Sequence, residues 1–508
     1  MTCASSLVAD EAATAASTMY IQEYRVKGAK TLPADEVQDA VYPFMGPGRT
    51  TDDVEKARAA LEKAYQVKGY QTVSVQVPEQ QVQGGVVYLQ VTEGTIGRVR
   101  VKNSRYYSQS EIKKQAPSLA EGTVPNFNEV SRDLVALNQL SDRQITPTLS
   151  AGRTPGTVDI DLTVKDTLPL HGSLEVNNRY SANTSQLRVN GSVSYANLWQ
   201  RAHTLGLSFQ VAPQNPEESK VFTAYYLASV PSVSGLSLMV QGSKQDSNVA
   251  TGTGSNSVGR GEVVGLRALI ALPSAKDFYQ SFNTGFDFKH LEQQSVAGSA
   301  PITYLPFLAN YSCNLVTQGA VTELNLGATL GVRGFGSSVT STGVRRFKAD
   351  GGFMILRGDL SQTRELPAGF QAYGKVQGQV TGQALVDSEE FSGGGLGTVR
   401  GYLESATLGD NAFFGSAELR SPSLAPVFGT KKINDWRFYL FTDGGVLTVN
   451  KTLPQQEARY SLASFGAGTR GKVGEYFNFS VDLGVPLFGQ GDTQSGDLLT
   501  TFRVWADF

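Results

Sequence analysis

Residues 391–402, which read FSGGGLGTVRGY, have the residue types best suited to place a single charge at a defined position. Five glycines in this segment allow the backbone to pack closely in a confined space. The only cation, Arg400, follows Val399 and precedes Gly401 and Tyr402. Taken alone, these residues also fit an ordinary glycine-rich surface turn, so the surrounding elements must decide between the two interpretations.

Patterns for catalysis, nucleotide binding and metal binding are missing from the sequence. No glycine-lysine-serine or glycine-lysine-threonine run occurs, and no predicted helix follows the glycines at 393–397, which argues against phosphate-binding loops. The histidines, which are dispersed and lack ligand spacing, are His171, His203 and His290. We therefore expect no metal site, no cofactor and no enzymatic activity. Cys3 and Cys313 are interpreted as two separate thiols.

The composition excludes some classes of protein and leaves others open. A chain of 508 residues is expected to form two to four domains. The formal net charge of −2 argues against a nucleic-acid-binding protein, which needs a basic face. Mean hydropathy is −0.19, and no run of about 18 apolar residues encodes a transmembrane helix. A β-barrel remains open, because its strands expose only alternate residues to lipid.

Residues 19–93 and 94–167 repeat one order of predicted elements: strand, helix, helix, strand, strand. Such an internal repeat is a stronger indication of architecture than any single short motif. In the first unit, Asp52 with Glu55 resembles a capping box at the start of a helix. In the second unit, Asn126 is predicted to cap a helix. The sequence thus predicts two small α+β domains at the front of the chain.

Each of these units is predicted to offer an exposed strand edge. Extended, unfolded polypeptide can pair with such an edge through backbone hydrogen bonds, which tolerate many sequences. The candidate edge in the first unit is the segment 72–77, along which Val73, Val75 and Val77 alternate with polar residues. The alternative is that the two units only space the second part of the chain from another component.

From about residue 168 to the C-terminus, helical periodicity gives way to alternation. Between 187 and 195 the odd positions are apolar or glycine and the even positions are polar. Such alternation predicts strands with one face on lipid and the other on a polar lumen, although a soluble sandwich alternates as well. About sixteen alternating runs fit this region, each long enough for a membrane strand of roughly 9–11 residues. An even-numbered barrel of this size encloses an aqueous lumen.

The C-terminal residues form an alternating strand of their own. Phe502, Val504 and the terminal Phe508 fall on one face of this strand. A terminal aromatic residue in this pattern resembles the signal by which outer-membrane barrels are recognised for insertion. The alternative is a chance phenylalanine at the end of a strand.

The motif Val399-Arg400-Gly401-Tyr402 resembles the signature of the barrel-inserted loop in TpsB transporters of two-partner secretion. These transporters belong to the outer-membrane barrels that carry POTRA domains. The motif follows two POTRA-like units and precedes the sequence FTDGG at 441–445. The resemblance covers residues 19–508 and implies an inserted loop at 391–410.

The resemblance also implies a partner for Arg400. In this family an aspartate of a Phe-x-Asp-x-Gly motif lies opposite the loop arginine, and here that motif is Phe441, Asp443 and Gly445. The expected pair is charge-assisted and able to be bidentate. Arg437 shares the predicted strand face with Asp443 and is a competing partner. A turn aspartate before two glycines is the alternative interpretation of Asp443.

The resemblance implies an outer-membrane transporter with its POTRA-like domains in the periplasm. Its expected partners are a secreted exoprotein of the adhesin or haemolysin type, outer-membrane lipid and the barrel-assembly machinery. Since no nucleotide motif is present, folding of the exoprotein outside the cell is expected to favour outward movement. The alternatives are an assembly factor for other barrels and a passive porin.

The start of the sequence does not match an exported TpsB protein. Residues 1–18 form a short tail without the apolar core of a signal peptide. An export signal is therefore expected upstream of Met1. Many TpsB proteins also carry an N-terminal plug helix and a linker, for which 18 residues are too few unless sequence is missing.

Overall fold

The computed structural model describes residues 18–508 except 83, 139, 232, 234, 248–258, 293, 296–297, 300, 337–341, 344–345 and 430–431. The predicted tail at 1–18, with Cys3, therefore lies almost entirely outside the described residues. The chain divides into an N-terminal unit, Met1–Pro169, and a barrel unit, Leu170–Phe508. Where the structure describes the chain, no helix has the length and apolar character needed to cross a membrane.

The described N-terminal unit contains two three-stranded sheets of the same topology and one two-stranded sheet, formed by the first and third strands of the chain. In chain order its elements are β1 Met19–Ile21, β2 Glu23–Lys27, α1 Ala34–Val41, β3 Gly46–Arg49, α2 Thr51–Val67, β4 Val73–Gln76, β5 Val86–Glu93, β6 Thr95–Lys102, α3 Gln109–Lys114, α4 Phe127–Leu137, β7 Arg143–Ala151 and β8 Thr157–Asp166. The first sheet has the order β2-β5-β4 and the second the order β6-β8-β7. In the first sheet β2 pairs with β5 in parallel and β4 pairs with β5 antiparallel. In the second sheet β6 pairs with β8 in parallel and β7 pairs with β8 antiparallel. A repeated element order thus produces a repeated fold.

Each three-stranded sheet packs its helices over a separate apolar core. Leu61 and Tyr65 of α2 are fully buried against Leu89 of β5. In the second half Ile112 of α3 is buried in the cluster that contains Leu162 of β8. Apolar residues at helical spacing on one side and alternating residues on the other account for both cores.

The start of α2 differs from its predicted capping box. The structure has the box two residues earlier: Thr50 is the N-cap, and its backbone amide donates to the Asp53 carboxylate at 2.9 Å. Asp52 instead forms an exposed ion pair with Lys56. Since Thr and Asp at these positions satisfy the free amides of the first turn equally well, spacing alone did not choose between them. The predicted cap of α4 is present, with Asn126 accepting from the Asn128 amide.

The barrel unit consists of strands joined by turns and longer loops. In chain order they are β9 Leu170–Asn177, β10 Arg188–Leu198, β11 His203–Val211, β12 Ser219–Ser229, β13 Leu236–Ser247, β14 Gly259–Ala271, β15 Phe278–Glu292, β16 Gln294–Ser295, β17 Gly298–Ser299, β18 Ile302–Thr317, β19 Ala320–Gly336, β20 Phe353–Glu365, β21 Gln371–Val380, β22 Phe391–Gly393, β23 Thr407–Gly409, β24 Asn411–Arg420, β25 Ile433–Thr448, β26 Arg459–Val473, β27 Phe477–Pro486 and β28 Leu499–Asp507.

Sixteen of these described strands close into one antiparallel barrel, in which β28 pairs with β9. The predicted barrel and its strand number are confirmed. The short pairs β16–β17 and β22–β23 lie outside the barrel wall. Outward-facing residues such as Leu207, Phe222 and Leu440 are exposed and apolar, whereas the intervening residues face the lumen. This alternation provides an apolar outer surface and a polar interior.

Candidate functional site

The connection between β21 and β24 folds into the barrel lumen. Its base is the hairpin of β22 and β23, where Phe391 is in register with Gly409. Between these two strands the chain reaches the inner wall with Val399, Arg400 and Tyr402, all of which are buried. We call residues 391–410 the inserted loop. The structure therefore places the glycine-rich segment inside the barrel rather than on a surface turn.

Arg400 is held by side chains from three barrel strands, β24, β25 and β27. Its Nε and Nη2 donate to the two carboxylate oxygens of Asp443 on β25, each at 2.8 Å. Its Nη1 donates to Glu418 on β24 at 2.6 Å and to Asp482 on β27 at 3.3 Å. Its guanidinium carbon lies 3.7 Å from the centre of the Phe441 ring. The pair that the family resemblance implies is thus bidentate and belongs to a larger cluster.

The backbone of Arg400 takes part in the same arrangement. Its amide donates to Asp443 at 3.0 Å, so one carboxylate fixes both the main chain and the side chain of the loop tip. Asp443 is 4% exposed and Arg400 is 7% exposed, which removes most of the competition from water. A charged pair this far from solvent is stabilising only when its hydrogen bonds are satisfied, as they are here.

The apolar neighbours of Arg400 anchor the loop tip. Val399 and Tyr402 belong to a buried cluster on the inner wall together with Phe414, Leu447 and Leu462. The Tyr402 hydroxyl, with one proton to donate, lies 3.1 Å from the carbonyl oxygen of Ala463 and 2.8 Å from that of Phe488. The motif therefore combines a charged contact in the middle with an apolar contact on each side.

Three glycines of the site, Gly401, Gly484 and Gly445, lie where a side chain would meet backbone atoms. Gly401 has φ +88°, a conformation that favours glycine, and a Cβ there would lie 3.1 Å from the carbonyl carbon of Gly484. A Cβ on Gly484 would lie 2.6 Å from the amide nitrogen of Gly401. Gly445 is similar, since its Cβ would lie 2.3 Å from the carbonyl oxygen of Phe413. The loop tip and the wall thus meet backbone to backbone.

Arg437 does not compete for Asp443. It pairs with Asp435 at 3.1 Å and donates to the carbonyl oxygen of Ser421 at 2.9 Å. Arg437 and Asp443 are six residue steps apart along the strand, which corresponds to roughly 20 Å at about 3.3 Å per residue. Although Arg437 and Asp443 share a strand face, the Arg437 side chain cannot cover the distance to the Asp443 carboxylate.

The residues that precede the inserted loop form a second buried charged cluster. Glu389 accepts from Lys289 of β15 at 2.6 Å. Arg346, from the connection between β19 and β20, lies 3.4 Å from both Glu390 and Asp410. These contacts join the two ends of the inserted loop to other parts of the barrel. These contacts leave no local pattern in the sequence, because the partners are far apart in the chain.

The remaining predicted site residues lie elsewhere. Val73 and Val75 of β4 point into the core of the first sheet, whereas Val77 follows the strand and is 37% exposed. β4 is an edge strand in the order β2-β5-β4. At the C-terminus, Val504 and Phe508 are 48% and 62% exposed on the outer face of the barrel. Phe502, on the same strand, is partly buried.

Two domain families match the sequence. The model of the haemolysin secretion/activation protein ShlB/FhaC/HecB matches residues 156–471, and that of the ShlB-type POTRA domain matches residues 19–94. The chain belongs to the ShlB/FhaC/HecB family. The resemblance to TpsB transporters is confirmed, and the barrel of this family member is an outer-membrane barrel.

Relatives with curated names share modest sequence identity with this family member. The outer membrane transporter CdiB of Escherichia coli is 26% identical over 172 residues, which cover 34% of this chain and 29% of CdiB. The heme/hemopexin transporter protein HuxB of Haemophilus influenzae is 21% identical over 470 residues, which cover 89% of this chain and 80% of HuxB. The sequence alignment thus covers less than a third of CdiB but most of HuxB.

Solved structures of the same architecture support the fold. CdiB from Escherichia coli superposes with a TM-score of 0.64 at 21% identity, over 99% of this chain and 93% of that chain. BamA from Haemophilus ducreyi, in a form lacking POTRA domains 1–3, superposes with a TM-score of 0.59 at 14% identity, over 96% of this chain and the whole of that chain. At these identities the likeness shows the fold alone.

Proposed function

We propose that this protein exports an unfolded exoprotein of the adhesin or haemolysin type across the outer membrane. The observation that carries the proposal is the inserted loop, whose Arg400 is bound to Asp443 within a closed barrel. A plain pore has no need of such a loop. Two relatives are named as transporters, CdiB and HuxB, which supports export as the shared activity.

Capture of the substrate is assigned to the POTRA-like part of the chain, on the periplasmic side. Strand β4 lies at a sheet edge, and its Val73 and Val75 side chains are used for the core. An incoming extended segment would therefore contact the β4 backbone and be selected weakly by sequence. Arg58 already donates to the Val75 carbonyl at 3.2 Å, so it has to release that oxygen when the segment binds.

The proposed transport step uses no chemical energy from the protein itself. A cavity of about 350 Å³ lies beside Arg400 of the inserted loop, and one of about 570 Å³ lies beside Glu389, just before the loop. Substrate passes along the inner wall, and its folding at the cell surface prevents return. The barrel-assembly machinery inserts the protein beforehand, with β28 and the following Phe508 as the recognised signal.

The test is quantitative mass spectrometry of the outer membrane and the culture medium, with and without this gene. An exporter predicts loss of one large exoprotein with other barrels unchanged. Broad depletion of many barrels would instead identify an assembly factor and refute the proposal. Unchanged secretion combined with loss of a steady ion conductance would identify a porin.

The variant Arg400→Lys tests the contribution of the loop contact to secretion while the protein itself is still present. Lysine retains the charge but loses the bidentate contact, which removes at least one charge-assisted hydrogen bond worth about 1.5–3 kcal/mol. We expect secretion to fall by about tenfold or more, since 1.4 kcal/mol corresponds to a factor of ten. Arg437→Lys is the matched control, because the ion pair of Arg437 is with the partly exposed Asp435, away from the inserted loop. Equal secretion by the two variants would contradict the role of the loop.

A further inference from the structure

The barrel closes through a seam that is shorter than its other strand pairs. Between β28 and β9, the residues in register extend from Arg503–Asn177 to Asp507–Ser173, which is five pairs. Every other neighbouring pair of described barrel strands has at least eight residues in register, as β9 and β10 do. The stretch Leu499–Phe502 of β28 therefore has no β9 residue beside it in the ladder.

The residue after β9 extends this seam with its side chain. The Asn178 amide group donates to the Thr500 carbonyl at 2.8 Å, and its Oδ1 accepts from the Phe502 amide at 2.7 Å. The Asn178 backbone amide also donates to the Phe502 carbonyl at 3.3 Å. Within the paired stretch of β28 and β9, Arg503 forms a bidentate pair with Glu175 at 2.8 and 3.1 Å. Side chains thus replace part of the missing ladder.

The next two residues of the chain bind the inserted loop. Arg179 Nε donates to Glu404 Oε1 at 2.6 Å, and the Glu404 amide donates to the Tyr180 carbonyl at 3.0 Å. Glu404 is 4% exposed, and the same oxygen accepts from the Leu396 amide of the loop at 3.3 Å. A Cβ on Gly395 would lie 2.4 Å from this carboxylate, so the loop backbone is shaped around it.

We propose that Arg179 and Glu404 are positioning residues that couple the inserted loop to the barrel seam. Asn178 is hydrogen-bonded to β28, and the next residue, Arg179, is paired with the loop. Displacement of the loop would therefore shift this segment and weaken the contacts of Asn178 with Thr500 and Phe502. Coupling of this kind is reciprocal, so a closed seam also stabilises the inserted position of the loop. The inference concerns the barrel without substrate and does not depend on the proposed export.

Amide hydrogen exchange of the full-length protein in detergent or nanodiscs tests the coupling. The variant Glu404→Gln keeps the size of the side chain and removes its charge. Exchange at the seam amides of Asn178 and Phe502 is expected to accelerate roughly 5- to 150-fold, the range of typical coupling between two sites. Unchanged exchange at these amides in the assembled variant would overturn the proposal.

A matched control distinguishes coupling from a general loss of stability. Arg267 and Asp287 form a 2.6 Å pair on β14 and β15 whose side chains are 10% and 9% exposed. Asp287→Asn removes a similar buried charge far along the wall from the seam. It should leave seam exchange as in the unmodified protein, and an equal acceleration would overturn the proposal. If Glu404→Gln fails to assemble, Arg179→Lys provides a milder loss of the same contact, with smaller but measurable acceleration expected.

The effect of the seam on the inserted loop is tested with a disulfide across the seam. Ser173→Cys and Asp507→Cys lie opposite one another in the register, in a background where Cys3 and Cys313 are replaced by serine. Closing this disulfide should slow exchange of the Leu396 amide when Glu404 is present and have no such effect in Glu404→Gln. The same slowing in both backgrounds would show that the coupling bypasses Glu404, against the proposal.

Discussion

Arg400 lies in a cluster whose charges balance. The members are the guanidinium groups of Arg400, Arg420 and Arg470 and the carboxylates of Asp443, Glu418 and Asp482. Glu418 joins the three arginines, since each of them donates to it. Removing one partner from a buried cluster leaves an uncompensated charge, with a cost of about 3–5 kcal/mol. The cluster therefore defines one position of the loop tip rather than simply adding stability.

The sequence identified only part of this cluster. Asp443 was predicted from the resemblance, because its motif has fixed spacing along one strand. Glu418 and Asp482 were not predicted, since they reach Arg400 through strand register and barrel curvature. The register sets Asp443 beside Ser416 of β24, two residues before Glu418. An acidic residue facing a polar lumen is common, so neither residue differs in the sequence from an ordinary lumen position.

Gly484→Ala tests the backbone contact between the loop tip and the wall. The added Cβ would lie 2.6 and 2.8 Å from the nitrogen and Cα of Gly401, which are backbone atoms that cannot rotate away. We expect the loop tip to lose its contact with the inner wall and Arg400 to become accessible to trypsin in intact outer membranes. Gly242→Ala is the control, because a Cβ there meets nothing within 4 Å. Resistance of Gly484→Ala to trypsin, equal to that of the control, would refute the expectation.

At the scale of elements, the inserted loop is a short hairpin closed by aromatic packing. Phe391 of β22 stacks on Phe414 of β24 with ring centres 5.7 Å apart. The predicted limits of the loop, 391–410, enclose this hairpin. The sequence could not show that the preceding residues are anchored as well, because the contact of Glu390 with Arg346 joins loops from different strands. Pairing over such distances leaves no local pattern.

The POTRA-like units were easier to predict at this scale, because their periodicity is local. One ionisable group there ties three elements together. Glu93, at the end of β5, accepts from the amides of Lys30 and Thr31 at 2.7 and 2.8 Å and from the Tyr65 hydroxyl at 3.0 Å. Burial alone disfavours the carboxylate, but these hydrogen bonds outweigh it and lower the pKa of Glu93.

This lowered pKa predicts an acid-dependent stability of the first unit. The stabilisation is complete above the unfolded pKa of about 4.3 and is lost as the pH falls through the lower folded pKa. Glu93→Gln should reduce the free energy of unfolding at pH 7 by about 1–3 kcal/mol and weaken its dependence on pH below 5. Every α-helix that the structure describes lies in the N-terminal unit, so circular dichroism at 222 nm in urea follows its unfolding.

Glu129→Gln serves as the control for this measurement. Glu129 pairs with Arg132 on the surface of α4, where the two side chains are 56% and 75% exposed. Exposed pairs contribute about 0–1 kcal/mol, so the control should unfold much like the unmodified protein. A pH profile of Glu93→Gln that parallels the unmodified one would show that Glu93 does not cause the acid sensitivity.

For the whole molecule, alternation and spacing predicted about sixteen strands, and the family resemblance favoured a membrane barrel over a soluble sandwich. They were not enough to predict how the barrel closes. Strand pairing within a hairpin is local, whereas the pairing of β28 with β9 joins opposite ends of the barrel unit. The bidentate pair of Arg503 and Glu175 across this seam has no signature in the sequence. Closure therefore depends on contacts that only the assembled barrel reveals.

The terminal residue continues the seam beyond the last strand. Phe508 and Gly172 exchange two backbone hydrogen bonds of 3.0 Å. The Phe508 ring covers Gly172, where a Cβ would lie 2.3 Å from the ring. Glycine at 172 thus provides the space that the terminal ring fills on the outer face.

Phe508→Ala tests whether this ring acts during insertion. Both backbone hydrogen bonds remain, so the finished barrel should lose little, whereas recognition of the terminal strand loses its aromatic group. We expect the amount of heat-modifiable protein in outer-membrane fractions to fall several-fold. Phe477→Ala is the matched control, because Phe477 is 61% exposed on the adjacent strand β27 and pairs with Ala506.

The comparison of yield with stability decides between the two roles of Phe508. If the purified Phe508→Ala barrel melts near the temperature of the unmodified protein while its outer-membrane level falls, the ring acts in recognition. If its level equals that of Phe477→Ala, the terminal phenylalanine is not an insertion signal. Parallel losses of level and melting temperature would assign the ring to the seam, where it would protect the backbone hydrogen bonds of Gly172 from water.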